Sequence, residues 1–202
     1  MISGKPFFTK TRIWFIFSRI ILPFLVIYIG FAGIAAVRDM RIQSDEYAAV
    51  LLSDHALTKY DYWASPSAFL GSYITWSNYF HDRNMKVRWF LRAESMDLEE
   101  VIKDRKCQSI VLVGHGNLNA WRATDRNVSN VDVLRMMQGV EKKRGEWLQL
   151  TCGEEDFSPV KLGELVMAKE HVYTYGRAVT TYALVADALF GFKHLKQSGG
   201  II

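Results

Sequence analysis

Apolar and polar residues fall into blocks along this chain, and the length and period of each block predict its element. Residues 20–37 (IILPFLVIYIGFAGIAAV) form an uncharged stretch of 18 residues, and 13–17 extend its apolar character upstream of Ser18 and Arg19. Beyond Asp39 the blocks shorten to strand length. Residues 47–53 (YAAVLLS) read as a buried strand, and 86–91 alternate polar and apolar with the period of a half-buried one. Two further apolar runs are 109–114 and 147–151, and 171–175 make a fifth. Helical segments separate the strands. Ser65 and Pro66 open an aromatic-rich helix to about Asp82, with Ser65 as cap and Pro66 in its first position. Residues 97–105 read as a short helix. Residues 131–143 place Val133, Met136, Met137 and Val140 at helical spacing. Ser158 and Pro159 start a helix to about Lys169, and 178–192 form the last, with Asp187 its conspicuous polar residue. The polar stretch 117–130 reads as a loop. Five strands alternating with helices predict an α/β fold, a mostly parallel sheet with helices on both faces, preceded by one transmembrane helix. The expected organisation is a basic segment 1–12, an anchor 13–38, a domain 45–195 and a flexible tail 196–202.

At about 1.5 Å per residue, the 18-residue run reaches roughly 27 Å, close to a hydrocarbon thickness of about 30 Å. Pro23, Gly30 and Gly33 are tolerated in a membrane helix, and Arg19 can reach the interface. The run is longer than the apolar part of a signal peptide, and Ala35-Ala36-Val37-Arg38 is a poor cleavage context. Lys5, Lys10, Arg12 and Arg19 precede the span, whereas Arg38 and Arg41 follow it with Asp39 between them. This asymmetry favours a cytoplasmic amino terminus with the domain exported, by a margin narrow enough to leave the reverse orientation open. The bilayer is therefore the first expected partner.

Composition narrows the chemistry. The net charge of +4 is interleaved with acidic residues rather than clustered, which argues against a nucleic-acid surface. Two cysteines, Cys107 and Cys152, supply neither a disulfide framework nor a zinc site of their own. The histidines lack metal-ligand spacing, and Gly114-His115-Gly116 does not continue into a phosphate-binding loop. No metal and no cofactor are expected.

Two of the apolar runs end in reactive residues. Val113-Gly114 leads into His115-Gly116, and Leu150-Thr151 leads into Cys152-Gly153. If both runs are neighbouring parallel strands, an imidazole and a thiol leave the sheet side by side, at the edge where open α/β folds place ligands. A thiolate is the competent nucleophile and an imidazole a suitable base, so the pair suits acyl transfer. The ordinary alternatives are a His-Gly turn and a small buried cysteine. An α/β-hydrolase would need a Gly-x-Ser/Cys-x-Gly elbow, but Leu150 and Glu154 stand two places either side of Cys152.

These two motifs, 37 positions apart, resemble those of the caspase-like clan of cysteine peptidases, which includes caspases, legumain, gingipains, separase and CHAT domains. The resemblance covers roughly residues 45 to 195 in order of elements, though Thr151 stands where the clan often has Ala or Ser. It implies that Cys152 attacks a peptide carbonyl, that His115 handles protons to the leaving amine, and that the amides of Gly116 and Cys152 form the oxyanion hole. The resulting expectation is a membrane-anchored cysteine endopeptidase acting on a protein or peptide substrate. The alternative is a catalytically inactive, membrane-tethered interaction or assembly module. For substrate recognition, Glu154 and Asp156 would suit a basic side chain and Arg122 an acidic one, with Trp121 lining the cleft. Glu154, Glu155 and Asp156 serve equally as an acidic first turn of a helix, and they would raise the pKa of a neighbouring thiol.

Overall fold

The computed structural model describes residues 15, 17–53, 64–151, 160–175 and 195–197. A π-helical turn, Phe17–Ile21, leads into helix α1 (Leu22–Arg41), which has Pro23 as its second residue. α1 is long and apolar enough to cross a membrane, and little of it is buried. Strand β1 (Tyr47–Leu52) follows and is buried at every position. After it come helix α2 (Ala64–His81), strand β2 (Lys86–Leu91), helix α3 (Ser95–Lys103) and strand β3 (Cys107–Val113). Three short strands, β4 (Gly116–Asn117), β5 (Ala120–Arg122) and β6 (Asn127–Ser129), precede helix α4 (Asn130–Met136). Strand β7 (Trp147–Leu150), helix α5 (Leu162–Val166), strand β8 (Val172–Tyr175) and strand β9 (Leu195–Gln197) complete the described elements.

The main sheet has the order β2-β1-β3-β7-β8-β9, with β9 alone antiparallel. Its apolar runs are continuous because both faces are covered. One face packs Ala48, Val50, Leu52, Val111, Leu148 and Leu150 under Trp76 and Phe80 of α2. The other packs Ala49, Leu51, Ile110, Leu112 and Trp147 under α3, α4 and α5. An α/β fold with a mostly parallel sheet is therefore as expected, and helices lie on both faces.

Several boundaries differ from the sequence reading, each for a local reason. α2 begins at Ala64, so Ser65 and Pro66 lie inside its first turn. α3 begins at Ser95 because Glu94 and Asp97 close a capping box, the Glu94 N–H donating to Asp97 Oδ2 at 2.7 Å. α4 begins at Asn130 and stops at Met136, well short of the expected Lys143. Ser129 and Asp132 form its capping box, and the turn after it takes Gly139 to a φ of 73°. Lys143 is instead drawn inward, its ammonium donating to the carbonyls of Asp104 at 2.8 Å and Cys107 at 2.7 Å. The segment expected to be a loop, 117–130, contains most of a three-stranded antiparallel sheet, β4-β5-β6. β9 takes residues 196 and 197 from the expected tail into the main sheet, paired with β8. The helix starts expected at Ser65 and Ser158 differ in status, since 158 and 159 lie outside the described residues, as do 178–192 with Asp187.

Gly163 and Asp132 give two tests of this packing. A Cβ on Gly163 would lie 2.4 Å from Trp147 Cδ1. Gly163→Ala should therefore destabilise by about 1–3 kcal/mol, whereas an unhindered helical site would gain up to about 1 kcal/mol. Thermal unfolding decides the sign. Hydrogen bonds from Ser129 hold the Asp132 carboxyl down to about 2, below its ordinary 3.8. A depressed carboxyl stabilises the fold above its unfolded value, and the gain is lost as pH falls through the folded one. The stability difference between wild type and Asp132→Asn should be full at pH 6 and vanish between about pH 4 and pH 2.

Candidate active site

Parallel pairing of β3 with β7 sets the geometry of the candidate edge. Ile110 faces Trp147 and Val113 faces Leu150, with the Gly114 N–H donating to the Leu150 carbonyl at 3.4 Å. His115 is the second residue past Val113, and Cys152 is the second past Leu150. His115 is exposed at this edge. Cys152, Glu154, Glu155 and Asp156 lie outside the described residues. β1 ends beside β3 at the same edge, so the reversal of strand order between β1 and β3 opens here.

Two glycines shape the turn that carries His115. Gly114 has φ 139°, and a Cβ there would lie 2.0 Å from Ser53 Oγ. That hydroxyl donates to the Val113 carbonyl at 3.3 Å, tying the end of β1 to the end of β3. Gly116 has φ 150°, and a Cβ there would lie 2.4 Å from the Ala120 carbonyl oxygen. Both positions thus combine a left-handed backbone with a close approach that excludes a side chain. The hairpin β4-β5 then folds back, and the Arg122 N–H donates to the His115 carbonyl at 2.9 Å, fixing the His115 backbone.

Beneath the edge runs a buried polar ladder that the sequence reading did not single out. Trp147 Nε1 donates to Gln149 Oε1 at 3.2 Å, and Gln149 Nε2 donates to Thr151 Oγ1 at 3.0 Å and to the Asn117 carbonyl. Thr151 Oγ1 also donates to the Asn117 carbonyl at 3.4 Å. Gln149 and Thr151 are buried. The residue before Cys152 is thereby tied to the hairpin after His115. One signal was available in the sequence, namely a glutamine in the middle of an otherwise apolar strand.

The remaining site residues are placed as follows. Trp121, expected to line the cleft, is fully buried in the core, with Nε1 3.5 Å from the Val113 carbonyl oxygen, so its ring is core packing. Arg122 is half-buried beside the hairpin. His81, at the end of α2, is buried with Nε2 3.1 Å from Asp39 Oδ1. His171 closes a 3₁₀ turn before β8. Among the described residues, no three His, Cys, Asp or Glu side chains gather as a metal site.

Cys107 starts β3 at the opposite edge and is a free, buried thiol, pushed up to about 12 by burial. The six steps of β3 from Cys107 to Val113 separate the two edges by about 20 Å. Thr151 lies at the far edge and Cys152 is one residue beyond it. A Cys107–Cys152 disulfide, which needs Cα atoms within about 7 Å, is excluded. No protein-family model matches this sequence, and no curated protein matches it either.

The burial of Cys107 predicts the thiol chemistry of the folded chain. At pH 8, iodoacetamide should leave Cys107 unmodified until denaturant is added, as read by peptide mass spectrometry. Equal Cys107 modification with and without denaturant would contradict its place in β3.

Proposed function

We propose that this chain is a membrane-anchored cysteine endopeptidase of caspase-like type, with His115 and Cys152 as its dyad. The observation that supports the reading is the Val113–Leu150 pairing, which starts two equal two-residue exits, to His115 and to Cys152, from neighbouring strands. The His-Gly element follows the third strand of the main sheet in chain order, and the Cys-Gly element follows the fourth. α1 supplies the anchor by its length and apolarity.

In this reading the Cys152 thiolate attacks the scissile carbonyl carbon. The charge on its oxygen is met by the amides of Gly116 and Cys152. Such donors typically contribute about 10²–10³ in rate each. Collapse expels the amine, which takes its proton from His115, and water then hydrolyses the thioester to free the thiol. Gly114 and Gly116 keep the backbone around His115 free of side chains, and the Gln149 ladder holds Thr151 against the hairpin. Arg122, in β5 with its N–H on the His115 carbonyl, is the residue that would meet an acidic side chain.

The test is covalent labelling of the detergent-solubilised protein by a panel of peptidyl acyloxymethyl ketones. Wild type should label at Cys152. Cys152→Ala should abolish labelling, and His115→Ala should slow it by about 10²–10⁴. Labelling indifferent to His115, or none at all, would overturn the peptidase reading and leave a membrane-tethered interaction module.

A further inference from the structure

The second half of α1 is docked on α2. The Tyr28 hydroxyl donates to the Leu70 carbonyl, Arg38 donates to Asn78 Oδ1 at 3.1 Å and to Asp82 Oδ1 at 2.9 Å, and Asp39 Oδ1 lies 3.1 Å from His81 Nε2. These partners are 42, 40, 44 and 42 positions apart, so the two helices run the same way and keep step from Tyr28 to Asp39, about 16 Å. Asp39 Oδ1 also accepts from the Val87 N–H at 3.1 Å, at the start of β2. The inward face of α1 follows helical spacing. Tyr28, Ala32, Ala35, Ala36 and Asp39 are buried or half-buried, and Ala35 is only 1% exposed.

Docking of this kind is incompatible with a crossing by the same residues. A docked span over 20–37 would draw α2 and the strand ends beside it into the hydrocarbon, with the exposed charges of Arg92 and Glu94 past β2. The apolar stretch upstream of the contact, 13–27, has 15 residues with Arg19 among them. Even as a continuous helix it would reach about 22 Å, short of a hydrocarbon thickness of about 30 Å. With α2 in place, α1 can lie along a bilayer but not through it.

The outward surface of α1 suits that placement. Ile34 and Val37 lie opposite α2, with Ile29 and Phe31 on the flanks between; Ile34 is 59% exposed and Phe31 57%. Residues 21–27 precede the contact and are exposed at every position, Phe24 at 70%. No charge interrupts 20–37, while Arg19 precedes the stretch and Arg38 and Arg41 follow it, where anionic headgroups would meet them. An interfacial helix ordinarily carries a polar face of its own; here the face docked on α2 takes its place. A second protein copy would cover one side of the helix, whereas hydrocarbon covers residues 21–27 all round, which favours lipid as the occupant.

We propose that α1 lies in the plane of the membrane interface, docked on α2 with Ile34 and Val37 turned into the hydrocarbon, so that the amino-terminal segment and the domain occupy the same side of the membrane. The inference rests on the reading of α1 as a membrane anchor, and it makes that anchor a one-leaflet contact in place of a crossing. α2 joins the end of β1 to the start of β2, so α2 and α1 both run against the strands. The strands then lie along the membrane plane, and the His115 edge opens along the surface.

The test uses the full chain carrying Cys152→Ala, whose other native thiol, Cys107, is buried. The protein is reconstituted in sealed vesicles of phosphatidylcholine and phosphatidylglycerol. One variant carries Ser3→Cys and Lys169→Cys together, is treated with a membrane-impermeant maleimide, and is read by intact mass. Each molecule should carry two labels or none, whatever its orientation, because both positions lie on one side. A single label per molecule would place them on opposite sides and overturn the in-plane placement while leaving the anchor intact. Failure to float with the vesicles would overturn both. Bimane at Val26→Cys or Val37→Cys should be quenched equally by brominated acyl chains. A crossing would instead put Val26 near the bilayer centre and Val37 near the headgroups, so unequal quenching would also overturn the in-plane placement. Shielding of these labels that is insensitive to bromine and rises with protein concentration would assign the face to a second copy of this chain, and overturn the lipid assignment. The ketone labelling in detergent, where no bilayer is present, judges the peptidase reading separately.

Discussion

The parallel register of β3 against β7 is the constraint on which the rest of the candidate site depends. In a parallel pair, residues at equal distances past a registered position leave the sheet at the same edge, and a slip of one residue would turn every side chain of β7 to the other face. Two features resist such a slip. Leu148 and Leu150 fit one core while Trp147 fits the other, so the shift would bury Gln149 in the aromatic layer under α2. Gln149 would also lose its partners in Trp147, Thr151 and Asn117, and a buried amide without partners costs about 1–3 kcal/mol. The glutamine therefore acts as a register pin.

The same ladder gives Thr151 a structural role. Its hydroxyl accepts from Gln149 and donates to the Asn117 carbonyl, which an alanine could not do. The hairpin, β7 and the turn at Gly114 are thus joined by hydrogen bonds as well as by chain connectivity. Rigidity at this edge comes from Gly114 against Ser53, Gly116 against Ala120, and the ladder beneath.

The order of the five parallel strands and most of the helices were legible because they depend on period and burial, which the sequence displays. β1 is apolar at each position since both its faces are covered, and α2 shows its aromatic stripe. Less legible were features set by partners distant in sequence. β4, β5 and β6 are only two or three residues long, so their pairing left no periodic trace. Lys143 continued a helical pattern but is held by carbonyls more than thirty residues away. Trp121 sat among polar neighbours, which suggested a cleft, yet tertiary packing buried it completely. At the candidate site the exit of His115 and Gly116 from β3 was readable, whereas the polar ladder beneath the edge was not.

Placement of the two thiols also bears on the compartment in which the chemistry would run. An exported domain meets oxidising conditions, under which a reactive thiol is at risk of being captured by a second cysteine. In this chain the only other thiol, Cys107, starts β3, where β1 and the Lys143 stem enclose it. The length of the sheet keeps it from Cys152, and burial keeps it protonated and inert. Intramolecular oxidation is therefore closed off by architecture and not by the redox poise of the surroundings.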